Sequence, residues 1–321
     1  MYDVFCTGIL VTDILVKSID KLDYRISDAK VDKIMLSSGG DAMNTALALS
    51  KLGSNVCFCG RVGKDVSGSF LLDTLRSHNI EIKPVIIRNE ENTAHCLVLI
   101  NSKNEHAFFT DLGAMHSFCY DDIDISALEK STIVHAGGVN AMPMFDGDGV
   151  ARLFKKAKSL DKTTTMDVTA SVNGKWLENI ESCLAYLDYF LPSYEEAVKI
   201  TNQTDVNKIA DFFLNRGTKN VVIKLGAKGC FAKNAINRFS VSGFKVPVID
   251  TTGAGDCFVA GFISSLLHGK NMLQGLEFAN AVSAHCVQHI GATAGVPDYD
   301  TVCRFIEKNK HKGSSMESQN Q

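Results

Sequence analysis

Short apolar runs alternate with longer stretches of helical periodicity along most of the chain. The runs at 3–9, 56–62, 132–138, 163–168, 188–192 and 220–226 are rich in β-branched and aromatic residues and predict strands. Between them, apolar residues recur at three- and four-residue spacing. This predicts helices over about 42–52, 67–78, 145–160, 194–201, 206–216, 254–268, 272–289 and 298–309. Phe258, Phe262 and Leu266, for example, share one helix face. Strands that are apolar nearly throughout are buried on both faces. The pattern therefore predicts an α/β fold with a mostly parallel central sheet and helices on both faces.

Two stretches break the alternation. Residues 10–36 and 84–112 carry strand-like segments, among them "VIIR", "AHCLVLIN" and "HAFFTDL", with no helix between them, and "NSKNE" (101–105) has the composition of a hairpin turn. They predict a small accessory sheet, either a flap that covers a site or an edge hairpin. Residues 1–310 read as one body. The polar ending "HKGSSMESQNQ" (311–321) predicts a disordered tail.

Composition narrows the function classes. A chain of 321 residues, 45% of them hydrophobic, supports one large α/β domain or two smaller ones. With 33 basic against 36 acidic residues, charge gives no argument for binding nucleic acid or an anionic membrane surface. No run reaches the roughly 18 to 20 apolar residues of a membrane span. The start, "MYDVFCTGILVTDILVK", has Asp3 where a signal peptide carries positive charge, so it reads as a first strand. Ten scattered cysteines with no C-x-x-C fit a reducing cytoplasm. Cys57 and Cys59 point the same way along a strand, as buried free thiols or as a thiol pair open to metal. "DGDG" (146–149) resembles the start of a calcium loop, but Ala157 stands where that loop needs its bidentate Glu.

The candidate chemistry lies in three glycine clusters. "DTTGAGDCF" (250–258) places Gly253, Ala254 and Gly255 directly ahead of an apolar helix. The first amides of a helix lack intrahelical partners and carry the positive end of the dipole, so this turn makes a cradle for a phosphate. Asp256 in the same turn would repel a resting phosphate. Either it complements the helix dipole, or it takes a proton from a hydroxyl that attacks the phosphate. There is no G-x-x-x-x-G-K-[ST], and the motif follows the last strand of the pattern, not the first, which excludes a Walker A loop and a dinucleotide fingerprint. "SSGGDAMNTALALSKLG" (37–53) sets Gly39 and Gly40 before a second helix, with Asp41 and Asn44 three residues apart on one face. That pair suits a polyhydroxylated ligand or plain N-capping. "VIKLGAKGCF" (222–231) is a strand, a Gly-x-x-Gly turn and a strand, shaping a nucleotide pocket or only a hairpin.

In order and spacing, "GGDAMNTALALSKLG" and "VPVIDTTGAGDCFVAGF" (246–262) resemble the two signatures of the PfkB or ribokinase-like carbohydrate kinases, and the resemblance spans about residues 3–300. It implies a ribokinase-like fold with a β lid formed by 10–36 and 84–112, ATP and Mg2+ as cofactors, a small sugar as partner, and a homodimer joined through the lid. Asp256 matches the catalytic base, and Gly253, Ala254 and Gly255 match the anion hole. Asp13, Gly40, Asp41 and Asn44 match sugar-contacting positions. Lys224, Gly226 and Gly229 match the lining of the ATP phosphates and ribose, and Asn280 lies near the expected adenine pocket. Asp250 and Thr252 fall where some members bind a monovalent cation such as K+ through backbone oxygens. Glu196 in "PSYEE" matches the Glu of N-x-x-E, which holds magnesium through water, but Ser193 replaces the Asn. "DVTAS" (167–171) lacks the Asn and Arg of a common Asp-x-Asn-x-Arg stretch. With no Lys or Arg on the matched acceptor positions, a neutral, unphosphorylated acceptor is expected, whether a sugar or a nucleoside. The alternatives are a non-catalytic sensor on the same scaffold and a kinase for a vitamin-like heterocycle.

Overall fold

The computed structural model describes residues 1–20, 30–102, 105–309 and 314–318. With strands and helices numbered in chain order, one edge of the main sheet is β4 (Val56–Cys59). The sheet continues through β1 (Tyr2–Gly8), β9 (Ser131–Val139), β10 (Thr163–Val168), β11 (Tyr189–Phe190) and β12 (Asn220–Lys224), all parallel. It ends in antiparallel β13 (Cys230–Asn234), β14 (Asn237–Val241) and β15 (Ser314–Ser318). The central strands are apolar throughout because helices flank them. α1 (Asp41–Lys51) packs on β1, β4 and β9, and α7 (Ala254–Leu267) and α8 (Met272–Cys286) continue its layer. α3 (Ile125–Glu129) and α4 (Asp148–Ser159) pack on β9. α5 (Tyr194–Thr201) and α6 (Val206–Leu214) cover β12, and α9 (Tyr299–Lys308) lies on α8.

α7 has no polar face in its first three turns, and every residue from Asp256 to Ser265 is buried. It is held between α1 and α8. That placement brings its N-terminus to the end of the sheet where the parallel strands β10 and β12 finish, beside Asp167, Val168 and Lys224.

The stretches that broke the alternation form a separate four-stranded sheet in the order β3 (Lys33–Gly39), β2 (Val11–Lys17), β7 (His95–Ile100) and β8 (His106–Asp111). β2 and β7 are parallel, and the outer pairs are antiparallel. The β7–β8 register fits the expected hairpin at 101–105, of which 103 and 104 lie outside the described residues, as do 21–29 of the first stretch. A short parallel pair, β5 (Arg61–Gly63) and β6 (Ile86–Arg88), falls between β3 and β7 in sequence, with α2 (Val66–Ser77) between its two strands.

Three expectations need adjustment. The helix expected from 145 begins at Asp148, because Gly147 ahead of it has φ 73°. The helix expected to run to 289 ends at Cys286. The tail expected to be disordered places Ser314–Ser318 as a strand on β14. An edge strand offers unpaired backbone groups to any extended segment, so a polar sequence can join it without an apolar face. All ten cysteines are free, and Cys57 and Cys59 are buried. The Asp146 carboxylate of "DGDG" accepts from the amides of Asn140 and Met142, the role of a turn cap. No helix among the described residues is long and apolar enough to cross a membrane.

Candidate active site

A cavity of about 700 Å³ opens where α7 begins. Asp41, Asp167, Lys224, Gly255 and Asp256 line one end, and Gly229, Phe244, Asn280 and Val287 line the other. Its size and mixed lining suit a small-molecule site.

The cradle forms because Gly253 adopts the left-handed conformation (φ 72°) immediately before the helix. A side chain there would also meet the Ala292 carbonyl oxygen at 2.3 Å. Only glycine satisfies both demands, and the reversal sets the start of α7 at the cavity, which Ala254, Gly255 and Asp256 line. The ammonium of Lys224 lies 3.4 Å from where a Cβ on Gly255 would stand. A cation and a helix N-terminus therefore border the same small volume, an arrangement whose chemistry suits an anion. Lys224 Nζ is itself held by both oxygens of Asp167 at 2.8 Å. Burial works against its charge, but Asp167 and Glu196 outweigh it and raise its pKa to about 12.

Asp256 is buried in the first turn of α7, and its Oδ2 accepts from Asn44 Nδ2 at 2.8 Å. Burial pushes its carboxyl up to about 7, and Asp167 adds to this, while the Asn44 bond and Lys224 oppose it. A carboxyl near 7 is matched to proton transfer at neutral pH. Asp13, on β2 of the lid, lies against Gly39, where a side chain would collide with its Oδ2. Burial and then Asp256 push it up to about 7 as well. Asp41 stands at the start of α1 with its pKa well above the usual carboxylate range, first through burial and then through Asp256.

At the other end, the Gly226–Gly229 turn packs against Val241 and Gly243, so that both segments line the cavity. Asn280 lines it too, although its Nδ2 is spent on the Val241 carbonyl at 3.3 Å. Glu196 and Ser193 form a reciprocal capping box on α5. Ser193 N donates to Glu196 Oε2 at 2.7 Å, so the Ser that replaces the expected Asn serves as the helix cap. Asp250 accepts from Thr252 N and Gly291 N, tying the cradle to the loop after α8. Thr251 faces the cavity, whereas the neighbouring Thr252 does not line it.

The sequence matches the family described as pfkB family carbohydrate kinase over residues 1–299. The chain belongs to that family. It is 29% identical over 318 residues to an ATP-dependent 6-phosphofructokinase of Thermoanaerobacterium thermosaccharolyticum, covering 96% of this chain and 95% of the relative. It is 28% identical over 265 residues to a ribokinase of Staphylococcus aureus, covering 81% and 84%. The structure of Arabidopsis thaliana ribokinase complexed with ribose and ATP superposes with a TM-score of 0.83 at 23% identity, covering 95% of this chain and 99% of that one. The protein is thus a carbohydrate kinase with the ribokinase fold.

Sequence reasoning missed Asp167 as the partner of Lys224. "DVTAS" was notable for what it lacked, and only the fold shows that its first residue reaches the buried ammonium. It also missed Ser283, which lines the cavity and donates to the Ala254 carbonyl at 3.0 Å. A lone Ser in the middle of a helix carries no signal of that kind.

Proposed function

We propose that this kinase transfers the γ-phosphate of ATP to a hydroxymethyl group of a neutral sugar, with Asp256 as general base. The observation that carries the reading is the convergence of three groups on one point: the α7 amides behind Gly253, the Lys224 ammonium and the Asp256 carboxylate. The Ala254 amide donates to the Thr251 carbonyl at 3.2 Å, so the Gly255 amide is the one that stabilises charge developing on the transferring phosphoryl group, and Lys224 adds a fixed cation. Asp256, held by Asn44, takes the proton of the attacking hydroxyl as the bond to phosphorus forms. Asp13, from the lid, and Asp41 and Asn44, beside the Gly40 turn, orient the acceptor. The Gly226–Gly229 turn and Asn280 wall the nucleotide. A non-catalytic sensor would have no use for a carboxylate poised near neutrality.

Glu196 keeps one carboxylate oxygen free of the capping box, beside Lys224 and Asp167. One carboxylate fits a magnesium ion bound mainly by water and phosphates, as this ion prefers. Bound there, it would neutralise phosphate charge. The backbone carbonyls of Asp250 and Thr252 are the candidates for a monovalent cation, although that of Thr252 already accepts from the Cys286 thiol at 3.6 Å; stimulation of turnover by K+ over Na+ would reveal such a site.

The relatives differ in acceptor, one being a 6-phosphofructokinase and another a ribokinase. Here the matched acceptor positions Asp13, Gly40, Asp41 and Asn44 bring carboxylates and an amide but no cation, which disfavours a phosphorylated or acidic sugar. Coupled ADP release, measured over a panel of free pentoses and hexoses, nucleosides, sugar phosphates and aldonates, tests the reading. Turnover of unphosphorylated, non-acidic acceptors is expected. Turnover of sugar phosphates or aldonates alone would overturn it.

A further inference from the structure

Asp41 has one oxygen, Oδ2, that is out of reach of solvent and accepts no hydrogen bond. It lies beside Gly138, where a Cβ would stand 3.0 Å away, so no protein side chain from β9 fills that space. One turn along α1, Asn44 is only 5% exposed and also has an orphaned acceptor. Its Nδ2 is committed to Asp256, and its Oδ1 has no donor. Two unsatisfied acceptors therefore share one helix face beside the base. A buried acceptor without a donor is costly, and a buried carboxylate more so, which marks the place where a ligand supplies the missing donors.

Charge separates the kinds of donor. Asp41 shares its end of the cavity with Asp167, Glu196 and Asp256, and Asp13 stands across from Asp256 on the lid. Lys224, the cation at this end, already has both Asp167 oxygens at 2.8 Å. Lys245, also on the cavity wall, is exposed and belongs to the segment beside Phe244. Among the described residues no three acidic, His or Cys side chains are grouped to hold a metal ion, so Asp41 is not part of a protein cage for one. A sugar hydroxyl would bring Asp41 one donor and leave the excess of carboxylates as it was. A protonated amine brings up to three donors and a compensating charge. It would also relieve the repulsion between Asp41 and the base.

We propose that Asp41 is a specificity-determining residue, and that the acceptor it selects carries a protonated amino group: an amino or aminodeoxy sugar. This revises one point of the kinase reading above, replacing the neutral sugar by an unphosphorylated, non-acidic sugar that carries a positive charge, and it rests on that reading for the placement of the acceptor beside Asp256.

The test uses matched acceptors that differ at one substituent: glucosamine, glucose and N-acetylglucosamine; galactosamine and galactose; 1-amino-1-deoxyfructose and fructose. Each is assayed by ADP release. Each is also assayed for binding by calorimetry in the presence of a non-hydrolysable ATP analogue. In at least one set, kcat/KM and affinity for the amine should exceed those of the hydroxyl counterpart by about tenfold or more, the scale of one charge-assisted hydrogen bond. N-acetylation, which removes the charge, should abolish that advantage. In Asp41→Asn the amine-to-hydroxyl ratio should fall toward one. If the hydroxyl member equals or exceeds the amine in every set, the inference fails while the kinase reading stands. If amines bind preferentially but no acceptor consumes ATP, the kinase reading fails and the assignment of Asp41 survives.

Discussion

Asn44 and Asp256 lie 212 residues apart in the chain, and the Asn44 amide donates to the Asp256 carboxylate at 2.8 Å. The contact exists because α1 packs against α7, so that the first turns of two helices meet. Thr45 reinforces it with a longer bond to the Asp256 carbonyl. One side chain thus belongs to both halves of the site. Its nitrogen holds the Asp256 carboxylate, and its buried oxygen has no donor.

Replacing Asp256 with Asn should leave the fold and ATP binding in place and reduce turnover by about 10²–10⁴-fold, the usual contribution of a positioned general base. Near-normal ADP release would reject Asp256 as the base. The same variant carries a stability prediction of definite sign. The folded-state pKa, about 7, lies above the value of an unfolded Asp, so the folded wild type holds its proton longer. Its stability therefore falls as pH rises from the unfolded pKa toward 7. The Asn variant lacks that loss and should gain melting temperature relative to wild type between pH 5 and pH 8, as followed by circular dichroism. A gap that narrows with rising pH would contradict the burial argument.

The Asn44 bond favours the charged form of Asp256. Removing it in Asn44→Ala should move the pKa of the base upward. The acid limb of the kcat profile then shifts to higher pH, and activity lost at pH 7 returns in part at pH 8.5. An acid limb at the wild-type pH would mean that the amide serves only the acceptor.

The candidate positions at the start of α7 were legible because their chemistry is local. A glycine turn, an acid and the first turn of an apolar helix fall within nine consecutive residues (250–258). The central strands were legible for a similar reason, since burial on both faces leaves an unbroken apolar run. Pairings between distant segments were not. Nothing in "VTDILVK" says that it runs parallel to "HCLVLI" across the lid, or that Asp167 meets Lys224 through a gap of 57 residues. Ser193 was visible as a departure from N-x-x-E, but its capping role depends on where α5 begins.

Lys224→Met should remove a buried cation and strand Asp167, whose side chain is 3% exposed. Breaking a buried pair on one side costs about 3–5 kcal/mol. Urea unfolding should show a loss of that order, together with a raised KM for ATP. The double variant Lys224→Met/Asp167→Leu should recover much of the stability but not the ATP affinity. Full stability in the single variant would show that solvent reaches Asp167 and that the pair matters little.

Lys51, at the far end of α1 from Asn44, donates to the Thr293 carbonyl at 2.7 Å. The adjacent Ala292 carbonyl accepts from the thiols of Cys257 and Cys286 and abuts Gly253. Lys51 is therefore a positioning residue, holding the loop on which the cradle glycine rests. Lys51→Met should lower kcat, by up to about 10²-fold if the cradle moves by an ångström. Acceptor KM should change little, and Lys51→Arg should restore turnover. A variant that loses melting temperature but keeps kcat would assign the residue to stability alone.

The outer face of the lid bears on assembly. Leu36, Ile14, Leu97 and Phe109 sit side by side across its four strands. Leu36 is 65% exposed, Phe109 51% and Leu97 36%. An apolar row of this kind on a sheet whose other face carries Asp13 has no use for the isolated chain. The homodimer that the family resemblance implies would pair two copies through this row about a twofold axis, so that each row meets its own likeness. Light scattering should give twice the chain mass, and Phe109→Glu, which brings like charges together across the axis, should give monomers. If pairing steadies the sheet and Asp13 orients the acceptor as proposed, the monomeric variant should show a higher KM for the acceptor with KM for ATP nearly unchanged. A wild-type protein that scatters as a monomer at assay and at tenfold higher concentration would leave the apolar row without this explanation.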